Sequence, residues 1–423
     1  FGTLSISHSN QFEMKFSLDS VIILAVSALC ESTATSQKNS ATIDVSGKVK
    51  IHTPVGKDGD GLYTASTKGC FDVIAEATPL VLDAIGSIPM PVEGVLSIAD
   101  YGTADAGTSL GLMQHIVDAA RSRVKDKEIS IQYEDQKDNE WKSVFNHALG
   151  HKNVVDAYGN ELSSPYSLTN GIFVSASGTS FHEQVYPTAS VDFGMSFTAM
   201  HWLSSAPNGL VGREEMHHAQ CSSPGICGEA EKNQAKHDFE RILSARAREL
   251  KSGGKMVVVN FAKSEDGFFL GNTEIGVSMW DSFKSSWDRL AIEGHITEEE
   301  RLAVSFPNYY RSKSDVESSV RSNENLRIIS IQEKIVRCPY RTAWTTGSSQ
   351  KLRSAREHAE WYVPTTRTWS ESIFKNALDD ARDDGQKDEL MKRFWGNYVD
   401  IVEKEPDVHG MDYVHTYTVI EKL

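Results

Sequence analysis

From Val95 onward the apolar positions of this chain change period in a repeating order. Val95-Leu96-Ser97-Ile98-Ala99-Asp100 is a short β-branched run ending on an acid, and the glycine-bearing turn Tyr101–Thr108 follows it. Leu110, Met113, Ile116 and Val117 then recur at helical spacing, so the segment predicts a strand, a tight turn and a helix. Glu128–Tyr133 predicts a second strand that runs into two acids, Glu134 and Asp135. A helix over about 141–149 and a third strand at Ile172–Ala176 come next. Phe239, Ile242, Leu243, Ala247 and Leu250 place one apolar stripe on a helix, Gly253-Gly254 reads as its stop, and Met256–Val259 reads as a buried strand. Between Glu274 and about Arg321 the strand signal gives way to Trp280, Phe283, Trp287, Leu290 and Ile292, a helical insertion. Strands return at Leu326–Ile331 and Tyr413–Ile420. Strands alternating with helices predict a mostly parallel sheet with right-handed crossovers, hence one α/β domain. Its expected extent is 46–423, with a helical cap at about 272–325, and residues 1–45 stand apart as a leader or a disordered N-terminus.

Composition narrows the partners more than the fold. Of 423 residues, 39% are hydrophobic and 24% charged, which suffices for a folded core. Acidic residues number 58 against 43 basic ones, a net charge of −15. A surface of that sign repels phosphate backbones and no basic cluster offsets it, so nucleic acid is not an expected partner. No apolar run reaches the roughly 20 residues that span a bilayer, so no membrane partner is expected either. Val21–Cys30 after Met14-Lys15 has the form of a short signal-peptide core, although a single basic residue precedes it and Asp19 stands beside it. The cytoplasm is the expected compartment, with a secretory or plastid route through Met14–Cys30 as the alternative. The five cysteines (Cys30, Cys70, Cys221, Cys227 and Cys338) are odd in number and scattered, and define no disulfide framework. His217-His218-x-x-Cys221 with Cys227 has no zinc-type spacing, so no metal site is expected.

In an open parallel sheet, ligands bind beyond the carboxyl ends of the strands. The first turn reads Asp100-x-Gly102-x-x-x-x-Gly107, and its glycines allow close backbone approach to a ligand. The spacing is not the dinucleotide Gly-x-Gly-x-x-Gly. Asp100 would repel a pyrophosphate but suits a ligand carrying its own ammonium group. Asp135, ending the second strand, suits a ribose diol. The pair favours S-adenosyl-L-methionine over NAD; for the turn taken alone, a plain tight loop is the competing reading.

With these segments in order, the chain from Gly61 onward resembles the SABATH family of carboxyl and N-methyltransferases, in a form seen outside plants. The likeness is carried by Ile98–Gly102, by Tyr133-Glu134-Asp135-Gln136 with Asn139-Glu140-Trp141, by Ser180–Pro187, and by His201–Pro207. Ala245–Leu250 and Phe306-Pro307-Asn308-Tyr309-Tyr310 follow in the family's order. The resemblance implies a Rossmann-like class I methyltransferase sheet with a helical cap, S-adenosyl-L-methionine as cofactor, a small-molecule methyl acceptor and a homodimer. It implies that Asp100 and Gly102 hold the methionine part of the cofactor, that Asp135 takes the ribose hydroxyls with Gln136 beside the adenine, and that Ser180 and Phe181 bracket the adenine. Tyr63 and Thr67 would close over the methyl donor, while Cys70, Thr198, His201, Trp202 and Trp280 would line the acceptor pocket. Singly, each has a structural reading: Trp202, Trp280 and His201 as core residues, Phe181 as packing.

One position departs from the family. Carboxyl-methylating members carry a glutamine seven residues after the tyrosine, and counted from Tyr63 that position is Cys70, whose thiol is a weak donor. His201 also stands where many carboxyl-methylating members have methionine and some N-methylating members have histidine. The expected reaction is in-line methyl transfer to the carboxylate of a small organic acid. A carboxyl with a pKa near about 4 is already ionised at neutral pH, so no general base is required. The remaining barrier is positioning of the acceptor atom about 3 Å from the methyl carbon, a task for His201 and Trp202. N-methylation of a small nitrogen heterocycle and a non-catalytic, cofactor-binding relative are the alternatives.

Overall fold

The computed structural model describes residues 56–156, 158–205, 212–221, 228–347 and 354–423. In chain order the first elements are α1 (Leu62–Ser66), α2 (Lys68–Ser87), β1 (Leu96–Tyr101), α3 (Leu110–Arg123), β2 (Ile129–Asp135) and α4 (Trp141–Ala148). The hairpin β3 (Val154–Val155) and β4 (Glu161–Leu162) leads to β5 (Ile172–Gly178), β6 (Val191–Phe197), α5 (Glu229–Glu249) and β7 (Leu250–Phe261). Then come α6 (Met279–Ile292), α7 (Glu298–Leu302), α8 (Lys313–Arg321), β8 (Leu326–Val336), α9 (Pro339–Thr346), α10 (Ala355–Asn376), α11 (Asp384–Lys404) and β9 (Tyr413–Lys422).

Seven strands form one sheet in the order β5-β2-β1-β6-β7-β9-β8. The first five pair in parallel, as the alternating pattern predicts, and β9 runs antiparallel between β7 and β8. Every residue of β1 and β6 is buried because both faces are covered. The two-residue period divides β1 between two cores. Leu96 and Ile98 join Val73, Val81, Met113 and Ile116 of α2 and α3, whereas Ala99 and Tyr101 join Phe239, Ile242 and Val316 of α5 and α8.

Three features differ from the sequence expectation. Strand β6 goes unmarked because Asp192, Gly194 and Ser196 interrupt its apolar run. Its buried acid is satisfied by the Ser97 amide and Lys251 Nζ, at 2.8 and 2.7 Å. Gly253-Gly254 does not end α5: that helix stops at Glu249, Leu250 opens β7, and Gly253 sits inside the strand at φ +75°. Helices α10 and α11 also carry a weak local signal, since Val363-Pro364-Thr365-Thr366 and Gly396 are poor helix formers. Tertiary packing overrides that preference. Phe283 of α6 meets Phe374 of α10 and Tyr398 of α11, each with ring centroids 5.4 Å away, and reciprocal caps at Ser354/Glu357 and Asp383/Gln386 fix the starts of α10 and α11.

Candidate functional site

The carboxyl ends of β1, β2 and β6 and the turn after β5 face a cavity whose walls include Gly102, Ala104, Glu134, Asp135, Gln136, Ser180 and Phe181. Its rim is strained. Ala104, Ala106 and Thr198 lie at φ +50°, +62° and +54°, a region costly for residues with a side chain. Gly102 lies at φ +73°, and a Cβ there would overlap that of Ala199. The loop hangs from β2: Gly102 N–H donates to the Glu134 carbonyl at 2.8 Å, Ala104 N–H to Asp135 Oδ2 at 2.8 Å, and Asn139 Nδ2 to the Ala104 carbonyl at 2.6 Å.

The cavity is electrostatically one-sided. Burial raises the Asp135 carboxyl to about 7, against the amides of Ala104 and Gln136 that lower it and with Asp100 adding to the rise. Burial likewise lifts Asp100 to about 6, opposed by the hydroxyls of Ser109 and Thr103. Glu134 is pushed well up by burial and by Asp135, against the Arg246 guanidinium and the Gly102 amide that lower it, and its Oε1 has no hydrogen-bond partner among the described residues. No lysine or arginine is among the lining residues, and burial brings the His182 imidazole down to about 4. Each Asp135 oxygen accepts one backbone amide and retains capacity for a further donor. Buried carboxyls with no cation in the cavity wall itself, beside an aromatic ring, fit a ligand that combines positive charge, a diol and a flat base.

A second cavity is walled by Thr67, Cys70, His201, Phe261, Asn308, Trp369 and Tyr413, among others. Tyr63, Thr198 and Trp202 line both cavities, so the two meet at these residues. Tyr63 is brought there by α1, which Asp105 anchors: Thr64 N–H donates to Asp105 Oδ2 at 2.9 Å and Thr64 Oγ1 to Asp105 Oδ1. Trp202 is set by an antiparallel bridge to Asn308, flanked by bonds from Leu203 N–H to the Pro307 carbonyl and from Tyr309 N–H to the His201 carbonyl, both 2.9 Å. Burial pushes the Cys70 thiol up to about 11 against hydrogen bonds from Tyr63 and Thr67, so it stays protonated.

Of the residues singled out in the sequence, Gly102, Asp135, Gln136, Ser180 and Phe181 line the first cavity; Cys70 and His201 line the second; Tyr63, Thr198 and Trp202 line both. Three sit elsewhere. Asp100 is absent from the lining: its Oδ2 accepts from Ser109 Oγ at 2.9 Å and Thr103 Oγ1 at 3.2 Å, bracing the loop from beneath. Thr67 faces the second cavity, not the first. Trp280 lines neither; fully buried, it donates Nε1–H to the Leu270 carbonyl at 3.0 Å and stacks on His217 at 4.6 Å. Glu134 and His182 in the first cavity, and Asn308, Thr365, Trp369 and Tyr413 in the second, were not picked out from sequence. Glu134 and His182 stand next to residues that were.

His217 and His218 are used inside the protein: His217 Nε2 bonds Asn308 Oδ1 at 2.5 Å, and Tyr310 N–H donates to His218 Nε2 at 2.9 Å. Among the described residues no cluster of metal-ligating side chains occurs, and Cys227 lies outside them. No described helix is long and apolar enough to cross a membrane, and Met14–Cys30 lies outside the described residues.

Comparison with known proteins agrees with this geometry. A family model described as SAM dependent carboxyl methyltransferase matches residues 52–422. Probable 7-methylxanthine methyltransferase 2 of Theobroma cacao is 27% identical over 277 residues, 62% of this chain and 71% of its own. The benzoic acid/salicylic acid carboxyl methyltransferase 2 of Petunia hybrida is 26% identical over 304 residues, 70% of this chain and 80% of its own. A solved loganic acid methyltransferase with SAH shares the fold, with a TM-score of 0.62 at 19% identity, covering 86% of this chain and 98% of that one. The chain therefore belongs to the SAM dependent carboxyl methyltransferase family, the SABATH methyltransferases, and is an enzyme that uses S-adenosyl-L-methionine.

Proposed function

We propose that this enzyme methylates the carboxylate of a small organic acid by direct in-line displacement. The observation that carries the reading is the wall shared by the two cavities, Tyr63, Thr198 and Trp202, which puts a carboxyl-lined pocket and an aromatic pocket in contact. S-adenosyl-L-methionine supplies an electrophilic sulfonium methyl group. Asp135 accepts hydrogen bonds from the ribose hydroxyls, Gln136 lies beside the adenine, and Ser180 and Phe181 bracket that ring, Phe181 by its face. Gly102 lets the loop backbone approach the methionine part, and Asp100 acts one step back, through Thr103 and Ser109, by holding the loop's shape and adding negative potential. Tyr63 and Trp202 frame the opening through which the acceptor faces the donor.

An acceptor carboxylate is ionised at neutral pH, so the residues at the junction need move no proton. Phe261, Trp369 and Tyr413 keep water from the acceptor, which favours attack by a desolvated carboxylate. Residues 46–423 act as one catalytic unit, with about 272–325 as its cap, and the family resemblance makes a homodimer part of this proposal, checked by light scattering. Cys70 is the specific observation favouring a second reading, N-methylation of a neutral heterocycle, because a protonated thiol offers a carboxylate little. A panel of carboxylic acids and nitrogen heterocycles incubated with labelled methyl donor separates the two. Label in a base-labile ester is the expected result, and label confined to base-stable product overturns it. Failure of S-adenosylhomocysteine to bind in calorimetry would contradict both readings.

A further inference from the structure

Cys70 leaves the acceptor cavity without the glutamine amide that the family resemblance puts there, yet the cavity holds one carboxamide, that of Asn308. Asn308 and Trp202 oppose each other across an antiparallel bridge, and residues opposed in this way project their side chains to the same side. Both are buried and both line the cavity.

The orientation of this amide is set from behind. Ala219 N–H donates to His217 Nδ1 at 3.1 Å, so Nδ1 is the unprotonated nitrogen of a neutral ring and Nε2 carries the hydrogen. Burial keeps that ring neutral, lowering it to about 3. Nε2 lies 2.5 Å from Asn308 Oδ1 and therefore donates to it; a flipped amide would set two donors against each other. The His217 ring is clamped in turn by stacking on Trp280 at 4.6 Å and by Tyr310 at 4.2 Å. With Oδ1 occupied, Nδ2 is the end left for a ligand, and no partner within the described residues takes it.

We propose that Asn308 Nδ2 donates a hydrogen bond to the acceptor's carboxylate beside Trp202, and that His217 is the positioning residue fixing that amide. This rests on the carboxylate reading above. It gives the pocket an amide donor where Cys70 supplies none, and it gives Trp280 a purpose without contact with the acceptor.

The test uses the full chain saturated with S-adenosylhomocysteine, with benzoate and its neutral isostere benzamide as probes titrated by calorimetry. The wild type is expected to prefer benzoate. Asn308→Asp keeps the shape and still accepts from His217, but presents an oxygen to the ligand. It should weaken benzoate by about 10- to 100-fold, because a charge-assisted hydrogen bond is lost and a like charge added. Benzamide should change little, so the preference inverts, and S-adenosylhomocysteine affinity should stay within about twofold, as expected for a residue outside that cavity. His217→Leu should weaken benzoate, and His217→Gln, which retains a donor, should restore it. If Asn308→Asp fails to bind S-adenosylhomocysteine, Asn308→Ala is read in its place. An unchanged benzoate-to-benzamide ratio in a variant that still binds S-adenosylhomocysteine overturns this assignment alone. A wild type that does not prefer benzoate, or binds neither probe, overturns the carboxylate reading and the assignment with it.

Discussion

Cofactor affinity should depend on pH through Asp135, and the midpoint can be worked from its surroundings. Its oxygens accept the amides of Ala104 and Gln136, each at 2.8 Å, but burial and the nearby Asp100 outweigh them and bring the carboxyl to about 7. About one-tenth of the group is then ionised at pH 6 and about nine-tenths at pH 8. A ribose diol donates two hydrogen bonds, which only the ionised carboxylate accepts fully. The Kd of S-adenosylhomocysteine should therefore tighten about tenfold over that interval, about 1.4 kcal/mol. Stability of the ligand-free protein should move the other way. With a folded value raised above the ordinary 3.8, the native state binds more protons than the unfolded chain between about pH 4 and 7. Its stability is full below that window and is lost as pH rises through about 7, by up to about 4 kcal/mol. Asp100, at about 6, adds a smaller change of the same sign at the acid end. The assay is calorimetry at pH 6, 7 and 8 at fixed ionic strength, repeated with methylthioadenosine, which keeps the ribose but lacks the amino-acid group and its ionisation. Thermal midpoints of the free protein are read in parallel. In Asp135→Asn the pH slope should vanish. A flat Kd in the wild type, or an unchanged slope in the variant, would refute the assignment of the ribose to Asp135.

Three further outcomes follow from the same contacts. Gly102→Ala combines a positive φ with a Cβ that overlaps Ala199, so it should destabilise the protein by about 1–3 kcal/mol and weaken S-adenosylhomocysteine binding; an unchanged melting temperature would contradict the geometry of the loop. Cys70, held near 11, should resist iodoacetamide at pH 8 in the folded protein, where only about one thiol in a thousand is ionised, and rapid labelling seen by peptide mass spectrometry would show that its burial is misjudged. Asp105→Ala removes both hydrogen bonds to Thr64 and should free α1 at a cost of about 1–3 kcal/mol. It is read as faster amide exchange over residues 62–66 and a raised KM for the acceptor, with unchanged exchange as the contrary result.

The part of this architecture legible in the sequence is the part encoded locally. Strands β1 and β2 are apolar runs followed by acids, so their identity and the placement of Asp135 at a strand end could be read directly. Asp100 was harder, because its direction depends on the pleat: it shares a side with Leu96 and Ile98 and so faces Ser109 at the start of α3, where a helix N-terminus favours a negative charge. Trp280 lies on an apolar stripe that marks a buried helix face, but only packing decides that His217 stands between it and the Asn308 amide. Thr365, Trp369 and Tyr413 come from α10 and β9, far along the chain from the motifs, and no local pattern ties them to the pocket.

That division between local and distant determinants has a chemical consequence. The donor side is built from turns at the ends of parallel strands, where backbone amides and strained loops leave little freedom. Much of the proposed acceptor side is assembled from segments inserted between β7 and β8 and between β8 and β9, outside the strands themselves. Relatives named for a xanthine and for benzoic or salicylic acid stand at similar distances, 27% and 26% identical, so overall identity does not discriminate between acceptors. Cys70 does not discriminate either, if a second wall of the same pocket presents an amide. In the proposed transfer to a carboxylate no proton moves at the enzyme, so side chains that hold the acceptor atom in line suffice, and the proposed His217–Asn308 pair requires only a neutral imidazole, a bridge that aligns it with Trp202, and a cavity dry enough for its hydrogen bond to count.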